Sequence, residues 1–476
     1  HYAPTPGTAL GAHDILFPNQ DIPNVKANVV NNKLVQSLTR LRAALVIVLC
    51  SIALGVAAPV PALADTSTAD IVCGKTAAER KIADADLPDI EATSACVMGK
   101  DGTFYYSRNL DKQTKIASIT KVMTAILTLE NAQPAETLTV SAKAASIGES
   151  TAGLQEGDRL TVEQALRGLM IPSGNDAAWA LAEFVGKKLD PKTTDAEQTF
   201  VAAMNKKAKE LGCTGTLFEN PHGLDFDEWA GDMHSTAHDV AIMLKAAMEN
   251  DTFRQVVAST DSWIEVTAAD GSDHSHSMTT HNVLLGQDGN IGGKTGTTDD
   301  AGYCFTAAYS IDGDEVYTVV LGSPEDGQRF TDTATLANWY YGHKKSVAIA
   351  NSSKKTSDGN PLMARVAQSD WTDKSIDATL SDPAAQVTVF TLGGTVKESM
   401  SFDELSGDIH KGDKVGTVTI KQDGKKIAST KLVADEEGSS PNPIEWLLVK
   451  LDRLSRRVDN KPLTATSEKV SKDPAI

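Results

Sequence analysis

Ser118-Ile119-Thr120-Lys121 sets a hydroxyl and an amine three residues apart. In a helix that spacing is one turn, so both groups face the same side. A serine hydroxyl is a poor nucleophile until a neighbouring base takes its proton. Lysine serves as that base only when neutral, so its pKa must fall from about 10.4 towards the working pH. Burial supplies part of the fall, and a second cation in the same cleft supplies more. Two charges about 6 Å apart at an effective dielectric of about 20 repel by roughly 2.8 kcal/mol, or about two pKa units. Ser-x-x-Lys alone is a weak signal.

Two further elements strengthen it. Ser173-Gly174-Asn175 follows Pro172, where a short loop at a helix break can project both side chains. The Ser173 hydroxyl can relay a proton to a leaving amine, and Asn175 can hold a substrate amide. Lys294-Thr295-Gly296-Thr297 follows two glycines and leads into a strand. Lys294 supplies the second cation and Thr295 a hydroxyl for a carboxylate, while Gly296 lets a substrate backbone approach closely. Each triplet is ordinary by itself; the ordered set is not.

The elements that must position these residues read as follows. Ile90–Met98 is strand-like, Gly99 to Gly102 is a turn, and Thr103–Tyr106 returns as a hairpin. Ile116–Leu129 is apolar on nearly every side, which predicts a buried central helix. Thr161 and Gln164 form a capping box for a helix ending near Met170. A second helix over Asp176–Val185 is expected to close at Gly186. Gly302–Ile311 and Glu315–Leu321 flank a turn at Asp312-Gly313-Asp314, and Arg329–Tyr341 is amphipathic. Strands first, helices in the middle and strands last predict an α+β domain, an antiparallel sheet flanked by helices that joins both chain ends. Beyond Asn351–Asn360 the texture changes to short alternating strands at Val387–Leu392, Val415–Lys421 and Lys425–Val433, a small all-β domain.

The three motifs in this order resemble the signature of penicillin-binding proteins and related β-lactamases. The chain is more closely similar to the low-molecular-weight penicillin-binding proteins, the serine-type D-Ala-D-Ala carboxypeptidases. Ser173-Gly174-Asn175-Asp176-Ala177, His222-Gly223-Leu224-Asp225, Lys294-Thr295-Gly296-Thr297 and Ala301-Gly302-Tyr303 stand in that family's form. The likeness covers about residues 86–345, and Val415-Gly416-Thr417 and Asp423-Gly424-Lys425 extend it to about 436. It implies a peptidase acting on peptidoglycan stem peptides, with β-lactam antibiotics as covalent inhibitors. Ser118 would attack the bond between two terminal D-alanines and Lys121 would take its proton. The oxyanion would lie between the N–H groups of Ser118 and Thr297. Lys294, Thr295 and Arg329 would hold the terminal carboxylate; the plainer reading of Arg329 is the first turn of a surface helix.

The chain ends carry targeting signals. A basic stretch from Lys33 to Arg42, the apolar run Ala43–Ala58 and Ala62-Leu63-Ala64 read as a signal peptide over 30–64, cut after Ala64. Residues 1–29 look foreign to it, and 65–85 reads as a spacer before a catalytic domain at 86–347 and a β-rich domain at 348–436. In a helix over 440–458, Ile444, Leu447, Leu448, Leu451, Leu454 and Val458 share one face, with Trp446 beside it. Lys450, Arg453, Arg456 and Arg457 lie off that face, as in a helix lying in a membrane interface, and 459–476 follows as a polar tail. The expectation is an exported protein on the outer face of the plasma membrane or in the cell wall.

The remaining composition excludes more than it assigns. A formal charge of -18 argues against nucleic acid. Cys73, Cys96, Cys213 and Cys304 allow three disulfide pairings or four reduced thiols. No cysteine pair has metal-ligand spacing, and no cofactor is called for. His274, His276 and His281 sit in a polar stretch that reads as a solvated loop. A β-lactamase would need a deacylating glutamate, for which Glu210 stands in the plausible region without the expected Asn. Gly293-Lys294-Thr295 mimics a P-loop end, but Asp288 stands where that loop needs glycine.

Overall fold

The computed structural model describes residues 69–476. The signal-peptide and upstream readings therefore lie outside the described residues.

The main sheet has seven antiparallel strands, running spatially from Lys75–Thr76 through Ile71–Val72, Phe104–Arg108, Ser94–Gly99, Asp314–Ser323 and Gly302–Ile311 to Asn290–Thr298. Early and late segments meet where Val316 pairs with Gly99 and Leu321 with Ser94. Alternate residues of the central strand face opposite sides, as the period of two requires. Tyr317, Val319 and Leu321 face a helical layer that contains the helix Lys121–Asn131. Val316 and Val320 face Phe330, Leu336, Ala337 and Tyr340 of the helix Asp326–Gly342.

Several boundaries differ from the sequence reading, each for a local reason. Residues 69–85 are not a spacer. Two short strands there join the sheet edge, and buried Asp70 takes the Arg108 guanidinium at 2.8 Å and the Tyr106 hydroxyl. Ile90–Thr93 is not strand, because the N–H groups of Glu91 and Ala92 donate to the Asp332 carboxylate instead. The capping box at Thr161 and Gln164 forms, and its helix ends at Met170. The next helix runs from Asn175 to Leu189, straight through Gly186. A side chain at Gly186 would meet Ala196 O at 1.9 Å, so this glycine serves helix contact rather than termination.

A four-stranded sheet (Thr137–Thr139, Arg159–Thr161, Asp261–Thr267, Asp273–Thr279) was not legible in the sequence. It turns the expected loop at His274 and His276 into strand. All four described cysteines are free thiols. Burial pushes the thiols of Cys73 and Cys304 up to about 11 and Cys213 to about 12.

The C-terminal part carries a six-stranded sheet and a two-stranded one around its own apolar core. The helix Pro443–Val458 follows, N-capped by Asn442. The polar tail is not free: Glu468–Lys469 pairs with Ala364 and Arg365, and Asn351 Nδ2 donates to Asp473 O at 2.6 Å.

Candidate active site

The first motif begins in a short 3₁₀ turn, Ala117–Thr120, and the α-helix starts at Lys121. Ala117 has φ 47°, an uncommon conformation for a residue with a Cβ. It leaves Ser118 half exposed while Lys121 is fully buried. Lys121 Nζ stands 2.7 Å from Ser118 Oγ, 2.6 Å from Asn175 Oδ1 and 2.8 Å from His222 O. Asn175 Nδ2 donates to Gly148 O at 2.9 Å, so its amide oxygen is the atom turned to Lys121.

Both of those other partners are acceptors only. A neutral amine spends its two N–H bonds on them and keeps its lone pair for the Ser118 hydroxyl. Burial holds the Lys121 pKa well below its ordinary value, and the Lys294 charge lowers it further; Asp176 works weakly the other way. Asp176 is itself spent on the backbone, accepting from Ala152 N (2.9 Å), Leu154 N (3.0 Å) and Ala177 N (2.8 Å).

Ser173 sits at φ 65° between two helices, and its Oγ is 2.9 Å from Lys294 Nζ, which also donates to Thr295 O at 2.8 Å. Lys294 is fully buried, and desolvation, with the nearby Arg329 charge, brings its pKa down to about 7. Arg329 is buried rather than on the surface. Its Nη1 donates to Thr297 Oγ1 at 2.7 Å and Gly296 O at 3.3 Å, and Asp326 pairs with Nη2. Thr297 is exposed beside a cleft of about 560 Å³.

Two glycines close the assembly. A Cβ on Gly296 would lie 2.5 Å from Ile116 O and 3.2 Å from Ser118 N. The close approach that glycine permits is therefore to the Ser118 turn, not to substrate alone. On the other side, Gly223 has φ 96°, and a Cβ there would meet Ala117 O at 2.0 Å. The segment 222–225 is thus a wall of the site to which sequence reasoning assigned no role; its only signal was the His222-Gly223-Leu224-Asp225 run. The His222 ring packs against both Trp179 and Trp229, which also touch each other, and Thr298 Oγ1 donates to Asp225 Oδ2 at 2.8 Å.

A family model described as D-alanyl-D-alanine carboxypeptidase matches residues 80–325, and one described as penicillin-binding protein 5, C-terminal domain, matches 391–439. The chain belongs to the D-alanyl-D-alanine carboxypeptidase family. Among curated relatives, DacF of Bacillus subtilis is 30% identical over 366 residues, covering 75% of this carboxypeptidase and 88% of that one. DacC of Escherichia coli is 27% identical over 74% of this chain and 85% of its own. The crystal structure of the Streptomyces K15 DD-transpeptidase is 31% identical with TM-score 0.50, spanning 54% of this chain and 98% of that chain. DacD from Francisella tularensis, at 24% identity and TM-score 0.52 over 74% of this chain and 95% of its own, shares the fold.

The competing readings lose their footing. Glu210 lies in the last turn of the helix Ala196–Glu210, paired with Lys206 and Lys207. Lys294 and Thr295 lie within the strand Asn290–Thr298 and no helix follows, unlike a P-loop. His281 is not in the group formed by His274 and His276; the charges of Lys294, Arg329 and Lys121, after burial, lower its pKa.

Proposed function

We propose that this serine carboxypeptidase removes the terminal D-alanine of peptidoglycan stem peptides through an acyl-enzyme on Ser118. The observation that carries the reading is the 2.7 Å contact between Ser118 Oγ and a buried lysine whose other two partners are carbonyl oxygens. Ser118 Oγ attacks the penultimate carbonyl carbon, and its proton passes to Lys121 Nζ. The oxyanion forms between the N–H groups of Ser118 and Thr297, donors fixed by the backbone. The proton reaches the leaving nitrogen through Lys121 and Ser173, and D-alanine departs. Water then attacks the ester, with Lys121 as base again. Lys294, Thr295 and the Arg329–Thr297 pair receive the terminal carboxylate. A β-lactam meets the same groups and acylates the same oxygen. In a pentapeptide ending in D-Ala-D-Ala, Ser118→Ala should abolish D-alanine release; retained release would reject the mechanism.

The reading extends to the membrane surface. In the helix Pro443–Val458, Ile444 is 74% exposed, Leu447 55%, Leu451 55% and Leu454 58%, and only Val449 is buried. An apolar stripe turned outward beside basic residues suits the headgroup boundary of a bilayer. Arg453 donates to Ser369 O, Arg456 pairs with Asp452 one turn back on the same helix, and Lys450 lies over the Trp446 ring. No helix among the described residues is long and apolar enough to cross a membrane. An exported chain resting on the outer face of the plasma membrane accounts for both the leader and this helix.

A further inference from the structure

Outside the Ser118 cleft, the four-stranded sheet gathers a second set of chemistry-bearing side chains. Asp158, His274 and His276 each offer a ligand atom, all within 4.8 Å of one another. The two histidines are alternate residues of the strand Asp273–Thr279 and so share a face. Their rings stand 4.9 Å apart at 85°. Asp158, far upstream in sequence, precedes the strand Arg159–Thr161, which pairs with the same hairpin through Thr267.

We propose that Asp158, His274 and His276 form a Zn²⁺ site. Asp158 is 1% exposed, and its turn is fixed by Gln155 N donating to Oδ2 at 2.8 Å. His274 Nε2 lies 4.0 Å from the same oxygen. The second, independent sign is His276. Its Nε2 is sealed from solvent and has no hydrogen-bond partner, whereas buried polar atoms are ordinarily paired. The His276 ring rests on Gly153, where a Cβ would stand 3.1 Å from Nδ1, so this residue must stay small for the imidazole to lie there.

Two imidazoles and one carboxylate, with a water in the fourth position, suit tetrahedral Zn²⁺. The same nitrogen donors disfavour Mg²⁺ and Ca²⁺, which take oxygen. Metal–ligand bonds of about 2.0–2.1 Å draw the three groups together, and half-exposed His274 has room to turn inward. Bound zinc would fasten the segment 148–158 to the hairpin. That segment supplies Gly148 O and Ser150 O, which hold Asn175. The site is thus a clamp behind the second motif and takes no part in the chemistry at Ser118.

The test is equilibrium dialysis of the full, EDTA-stripped protein against ZnCl₂, with its melting temperature read in parallel. Wild type should retain about one zinc per chain and melt higher with zinc, because a ligand that binds the folded state stabilises it. His274→Gln and His276→Gln should each lose affinity about tenfold or more and lose the melting shift. His410→Gln, at an exposed histidine elsewhere, should match wild type. X-ray absorption of the wild-type zinc complex should count two imidazoles, a reading that does not depend on either variant folding. Sub-stoichiometric zinc in wild type, or equal binding in both site variants, would overturn the proposal. D-alanine release by zinc-free protein would fall only modestly, so loss of the clamp and loss of the catalytic reading are told apart.

Discussion

Lys121 Nζ stands 2.7 Å from Ser118 Oγ while Asn175 Oδ1 and His222 O occupy its two N–H bonds. The base is therefore aimed, and burial with the Lys294 charge holds its pKa well below the ordinary lysine value. Two acceptors that cannot donate fix the rotation of the amine, and the Asn175 amide is in turn fixed by Gly148.

This arrangement separates neutrality from charge. Lys121→Arg keeps a cation near Ser118 but supplies no base, since guanidinium does not deprotonate in proteins. Acylation by penicillin should slow by about 10²–10⁴-fold in Lys121→Arg and in Lys121→Ala alike, the range general-base catalysis contributes. Stopped-flow acylation rates check this; an arginine variant near wild type would contradict it.

The pH profile follows from two depressed lysines. The rate constant for acylation should rise with pH as Lys121 loses its proton, on a limb well below the ordinary 10.5. It should fall above about 7 in free enzyme, where Lys294 loses the charge that receives a carboxylate. Lys294→Gln should lower the rate, remove the falling limb and move the rising limb upward, because Lys121 loses a repelling neighbour. Stability carries the same sign. The unfolded chain holds more protons than the folded one between about 7 and 10.5, so stability from Lys294 rises with pH across that window. Melting temperatures of wild type and Lys294→Gln at several pH values should diverge accordingly.

Gly223 is predicted to be as sensitive as a catalytic group. A Cβ 2.0 Å from Ala117 O must push the Ser118 turn aside. Gly223→Ala should cost about 1–3 kcal/mol of stability, by strained overpacking and a positive φ, and slow acylation more than tenfold. Denaturant melts with acylation rates test it.

The exposed helix face gives a prediction independent of catalysis. Leu447→Glu with Leu451→Glu should abolish sedimentation with anionic lipid vesicles and leave D-alanine release unchanged. Unaltered sedimentation would assign that face to something other than lipid.

Much of this was legible in the chain. Spacing alone brought the Ser118 and Lys121 side chains together, although Ser118 stands in a 3₁₀ turn ahead of the buried helix, and order alone linked them to Ser173 and Lys294, because these motifs are short and local. Arg329 was ambiguous, since its partner Thr297 lies on a strand that no periodicity joins to its helix. The wall at Gly223 was hidden, because the close contact it permits is with Ala117, a residue remote in sequence. His274 and His276 were read as a solvated loop and Asp158 went unnoticed for the same reason: the four-stranded sheet is assembled from three separate stretches, one of them polar on both faces. Pairings that close long loops leave little local trace.

The central claim is that Ser118 is the nucleophile, made so by Lys121. Incubating the protein with benzylpenicillin and mapping the adduct by peptide mass spectrometry tests it directly. The account predicts a single penicilloyl group on the peptide containing Ser118, absent in Ser118→Ala and formed far more slowly in Lys121→Arg. An adduct on Ser173, or labelling that survives Ser118→Ala, would contradict it.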